Sequence, residues 1–115
     1  MKTKMVLEAA DVKAVLHAAE AEATKNNWAV AICVVDDGGH QLGFLRLDNT
    51  APVSAHIALS KAQTSALACR ESKVYEDLIN SGRFSFLSAP AISGMLEGGV
   101  AILECRGDLH SRAFR

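Results

Sequence analysis

Two carboxylates and two glycines stand together at Asp36-Asp37-Gly38-Gly39, just after an apolar run. Such a group can hold a metal ion or a substrate at the mouth of a pocket. It can equally be a polar hairpin turn in which a carboxylate accepts backbone N–H groups. Arg46 and Asp48 are two residues apart in a strand-like stretch, so their side chains share a face. Arg46 can fork onto a carboxylate of a ligand, or the two can pair with each other. Lys61 lies in a helical stretch between Ile57 and Ser65, at the margin of a stripe of small residues. There it either binds an anion or lays its stem along apolar surface with its charge in water. His17, His40, His56 and His110 never stand at helical spacing, so no single helix presents a two-His metal site. His17 falls on the wet side of the first helix and is a haem-ligand candidate only if that side lines a cleft between subunits.

Helices and a hairpin must position these groups. Ala9, Val12, Leu16, Ala19 and Ala23 recur every three or four residues, which predicts a helix from Leu7 to about Lys25. Asn26-Asn27 is a suitable stop. Trp28 to Val35 is apolar throughout and predicts a strand covered on both faces. The Asp-Asp-Gly-Gly turn then leads to an antiparallel strand from Gln41 to Leu47. Ser54 is the expected cap of a helix reaching Cys69, with Ala55, Ala58, Ala62, Ser65/Ala66 and Cys69 inward. A shorter helix is expected from Glu71 to Asn80. Arg83 to Gly94 reads as a loop with one helical turn. Val100 to Glu104 is expected as a strand, and Leu109 to Phe114 as a last short one. The order predicts one α/β (α+β) domain over residues 1–115, a mainly antiparallel sheet with helices packed on it.

Bulk composition narrows the function classes. The net charge of −1 and the lack of a basic stripe argue against nucleic acid as a partner. No apolar run reaches the ~20 residues that span a bilayer, and Glu8 and Asp11 interrupt any secretory signal. No membrane partner is therefore expected, and the cytoplasm is the expected location. Cys33, Cys69 and Cys105 form no CxxC pair or Cys/His cluster and read as buried, reduced thiols.

Four segments carry a family resemblance. Val34-Val35-Asp36-Asp37-Gly38-Gly39 resembles the "VVD-x-GG" turn of the GlcG/HbpS family, which includes the C-terminal domain of PduO proteins. Arg46-Leu47-Asp48-Asn49-Thr50 resembles its "RMD-x-A" segment, with Leu47 for Met and Asn49-Thr50 for Gly-Ala. Ile57-Ala58 to Lys61-Ala62, with Thr64 and Ala66, resembles its "iA-xx-KA-x-tA" helix. Gly98-Gly99-Val100-Ala101-Ile102 resembles its "GG-x-PI" strand start, with Ala101 for Pro.

The resemblance implies a profilin-like α/β domain assembled into homo-oligomers, in a family associated with haem binding or degradation. It implies no single shared reaction. It makes Arg46, Asp48 and Lys61 the leading site, with Asp36 beside them. The family pattern continues with a Gly-rich strand and a C-terminal helix, whereas this sequence ends Leu109–Arg115. Apolar sheet surface left bare by that difference is expected to be buried in an oligomer. The leading expectation is a protein binding haem or another small anionic ligand. The alternatives are an enzyme, a hydrolase or tautomerase of a carboxylate-bearing compound, and a structural subunit without ligand.

Overall fold

The computed structural model describes residues 1–102. Helix α1 spans Ala9–Lys25 and opens with a reciprocal capping box between Glu8 and Asp11, which satisfies donors the first turn leaves free. Asn27 closes it in the left-handed conformation (φ 55°). The Trp28 N–H returns to the Ala23 carbonyl at 2.9 Å.

Strands β1 (Ala31–Val35) and β2 (Gln41–Arg46) form an antiparallel hairpin. Val34 pairs with Gly43 and Ala31 with Arg46, and the register shifts between Val34 and Val35. The first strand starts three residues later than the apolar run suggested. Trp28 is 55% exposed and lies in the connection between α1 and β1, not in the sheet.

Gly43 explains how α1 lies on the hairpin. A Cβ there would stand 2.6 Å from Val12 Cγ1 and 2.9 Å from Leu16 Cδ1. The helix therefore descends onto β2 where the strand carries no side chain. Val12, Ala23 and Val34, the strand partner of Gly43, are buried. Helix α2 (Val53–Ala68) packs mainly against β1, and α1 and α2 do not touch, so the sheet lies between them.

Helix α2 differs from expectation in its cap and its buried face. Its N-cap is Pro52, and Ser54 is already inside the helix. Thr64 and Ser65 are its buried residues, and the alanines are half-buried. Cys69, expected inside, is an exposed left-handed cap (φ 56°). Helix α3 occupies Lys73–Asn80, and a 3-10 turn at Phe84–Ser88 supplies the expected single turn. Tyr75 and Phe86 meet edge to face, centroids 5.3 Å apart. Val100, Ala101 and Ile102 are not in a strand; Glu104 and the expected strand at 109–114 lie outside the described residues. No helix among the described residues is long and apolar enough to cross a membrane.

Gly43→Val should overpack the α1–β2 contact and cost about 1–3 kcal/mol of unfolding free energy. Urea denaturation monitored by circular dichroism measures it. An unchanged midpoint would show that α1 does not rest on β2 at this residue.

Candidate functional site

The hairpin turn commits its first carboxylate to the backbone. Asp36 Oδ1 accepts the N–H groups of Gly38 and His40, each at 2.9 Å. The Asp36 N–H donates to the His40 carbonyl at 2.9 Å, and Gly39 takes φ 80°. These bonds are the conformational reading of the motif. Asp37 is exposed and pairs with Lys4 of the N-terminal segment. The Lys4 hydrogen bond and charge hold the Asp37 carboxyl below its ordinary value and raise the Lys4 ammonium.

Arg46 and Asp48 lie at the other end of the hairpin, both exposed. From Ala31, the partner of Arg46, to Asp36 is five strand steps, roughly 17 Å. Asp36 and Arg46 therefore do not converge on one small ligand. Arg46 and Asp48 form no ion pair with each other or with any other described residue. By strand alternation Arg46 is on the face opposite Gly43, the one that carries α2.

Lys61 is in a different setting. A loop after the 3-10 turn, from Gly94 to Gly99, crosses α2 so closely that glycine is required. A Cβ on Gly94 would strike the Ser60–Lys61 peptide, and one on Gly99 the Lys61 carbonyl. At Gly98 (φ 128°) a Cβ would be 2.6 Å from Lys61 Nζ. The Lys61 ammonium, on a half-buried residue, donates to the Glu97 carbonyl at 3.0 Å. No carboxylate among the described residues lies within ion-pair distance of it. A cation with one neutral acceptor and unused donors is suited to an anion.

The loop is held by residues to which the sequence assigned no role in the site. Thr64, fully buried, accepts the Gly94 N–H at 3.0 Å and donates to the Ser60 carbonyl at 2.9 Å. Ser72, also fully buried, accepts the Gly99 N–H at 2.8 Å and donates to the Leu96 carbonyl. The Ser72 N–H donates to the Gly99 carbonyl at 3.0 Å. Glu76 accepts the Glu97 N–H at 2.7 Å. Lys73 lies 3.3 Å from Asp77 and 3.9 Å from Glu97. Its ammonium is raised, first by the hydrogen bond to Asp77 and then by the surrounding carboxylates. The one available signal was Ser72 at a helix start, followed by a Gly-Gly pair downstream.

Other groups are less organised. His17 is exposed beside an open groove of about 450 Å³ formed with Glu20, Ala21, Thr24 and Lys25, all from α1. Cys33 is a free, half-buried thiol pushed up by burial, which suits packing better than nucleophilic chemistry.

This hairpin between helices, with a glycine loop over α2, is the domain of a known group: the chain belongs to the HbpS-like family. The family profile described as "Haem degrading protein HbpS-like" matches residues 7–110. The chain is 48% identical to Protein GlcG of Escherichia coli (strain K12) over 103 residues, 90% of this chain and 76% of that protein. The same values hold for Protein GlcG of Escherichia coli O6:H1. The crystal structure of Klebsiella pneumoniae protein ORFY superposes with a TM-score of 0.80 at 23% identity, covering 91% of this chain and 74% of that one. At that identity the superposition establishes the fold alone.

The family's description raises haem as a ligand, and the residues can be tested for it. A porphyrin needs an iron ligand aimed into an apolar slot. His17 faces an open groove with one wall, and His40 and His56 are exposed; His110 lies outside the described residues. The described part of one chain therefore does not build a haem pocket.

Lys4→Ala should return the Asp37 carboxyl toward its ordinary value. The sign follows from a depressed folded-state pKa: the pair stabilises above the unfolded pKa of Asp37, and the effect is lost as pH falls through the folded one. Carboxyl-detected NMR titration reads this directly, and the difference should shrink at high salt. Identical Asp37 titration in both proteins would remove the pair from the account.

Proposed function

We propose that this chain is a GlcG/HbpS-type binding protein for a small anionic metabolite, with Lys61 as the anchoring cation. The observation that carries this reading is the Lys61 ammonium, on a half-buried residue, bonded to one main-chain carbonyl with no carboxylate in ion-pair reach among the described residues. An incoming anion supplies the counter-charge that this environment lacks. Arg46 and Asp48, exposed and without an ion-pair partner among the described residues, are proposed as rim contacts. Asp36 is left out because its carboxylate is used by the turn. The protein is proposed to work as a homo-oligomer, in keeping with large apolar side chains such as Trp28, Phe84 and Leu87, each more than half exposed.

Isothermal titration with acetate, oxalate, malonate and inorganic phosphate, with sedimentation velocity on the same samples, tests this. Saturable binding by at least one anion is expected. Lys61→Met should weaken it about ten- to a hundredfold, the worth of one charge-assisted hydrogen bond, with the thermal midpoint kept. No binding by any of the four, or binding indifferent to Lys61→Met, would refute the site. A monomer at micromolar concentration would refute the assembly. In a parallel haem titration, a saturable Soret shift lost in His17→Ala would replace the small anion with a porphyrin.

A further inference from the structure

Lys61 does not set its own position; the loop under its ammonium does, and that loop is fastened from the far side. Between Leu96 and Gly99 the backbone makes three hydrogen bonds with Ser72, two through the hydroxyl and one through the main-chain N–H. Ser72 is fully buried, so no water competes for these bonds. The carbonyl that holds Lys61 belongs to Glu97, inside the same four residues. Gly98 and Gly99 bring this backbone against the Lys61 side chain and carbonyl. The order of contact is thus Ser72, then the Gly-Gly loop, then the Lys61 ammonium.

We propose that Ser72 is a positioning residue for Lys61: its hydroxyl fixes the loop that restrains the ammonium, and so sets how accessible that cation is to an anion. The inference rests on the proposed Lys61 site for its functional meaning, but its physical content does not need a ligand. A serine suits the task because one small group must accept the Gly99 N–H and donate to the Leu96 carbonyl together. Alanine removes both side-chain bonds and leaves two main-chain groups unpaired in a buried place. The loop then moves toward solvent, and Lys61 loses its only acceptor among the described residues.

The test reads Lys61 without any ligand. The protein is pulse-labelled with acetic anhydride, and modification of the Lys61 peptide is followed by mass spectrometry. Ser72→Ala should label Lys61 about threefold faster or more, the low end for one lost hydrogen bond. Ser72→Thr, which keeps the hydroxyl, should label more slowly than Ser72→Ala. Val34→Ala, which opens the core on the other face of the sheet, should leave the Lys61 rate at the wild-type value. Unchanged labelling in Ser72→Ala, or an equal rise in Val34→Ala, would overturn the proposal. Should Ser72→Ala give no cooperative melt, wild-type protein in urea below its midpoint serves. Lys61 labelling must then rise together with amide exchange at Gly99, and a rise without Gly99 exchange is contrary. Faster labelling with no anion binding in wild type would sink the functional reading and leave the Ser72 assignment standing.

Discussion

The arrangement around Lys61 depends on how closely one backbone can approach another. A side chain at Gly94 or Gly99 would occupy the space of the α2 main chain at Ser60–Lys61. Contact at that range leaves the loop little room to shift, because packed backbone neither compresses nor swings as a side chain does. The hydrogen bonds of Thr64, Ser72 and Glu76 hold the loop in that place. The glycines make the approach possible, and the buried hydroxyls make it specific.

The same device appears on the opposite side of the sheet. Gly43 admits α1 onto β2 as Gly94 and Gly99 admit the loop onto α2. The α1 helix is thereby seated on the hairpin, and the loop on α2, at a defined height, although the described residues bury few large apolar side chains. Val12, Ala23, Val34 and Met95 are the buried apolar residues among those described. Small residues at the crossings take over part of what bulky side chains do in larger cores.

Much of this frame was legible in the sequence. The periodicity from Ala9 to Ala23 marked α1, and Asp36-Asp37-Gly38-Gly39 marked the hairpin, since short-range patterns report local geometry directly. The four family segments gave the fold class, and Lys61 was singled out with them. The convergence of Asp36 with Arg46 was not supported, because strand register separates them. Gly98-Gly99 was read as the opening of a strand, whereas its role is to pass across α2. Ser72, Thr64 and Glu76 act through partners 21–30 residues away. A lone Ser, Thr or Glu has nothing in its local pattern to announce such a partner. Ser54 shows the converse, since a good capping residue was available and the chain used Pro52 instead.

Proton–proton cross-relaxation by NMR probes the contact on which this account turns. Cross-peaks between the ε-methylene protons of Lys61 and the α-protons of Gly98 are predicted, because Lys61 Cε lies 3.2 Å from where a Gly98 Cβ would stand. Their absence, with Lys61 side-chain shifts like those of free lysine, would mean that the loop does not hold the ammonium and that the proposed anchor is an ordinary surface charge.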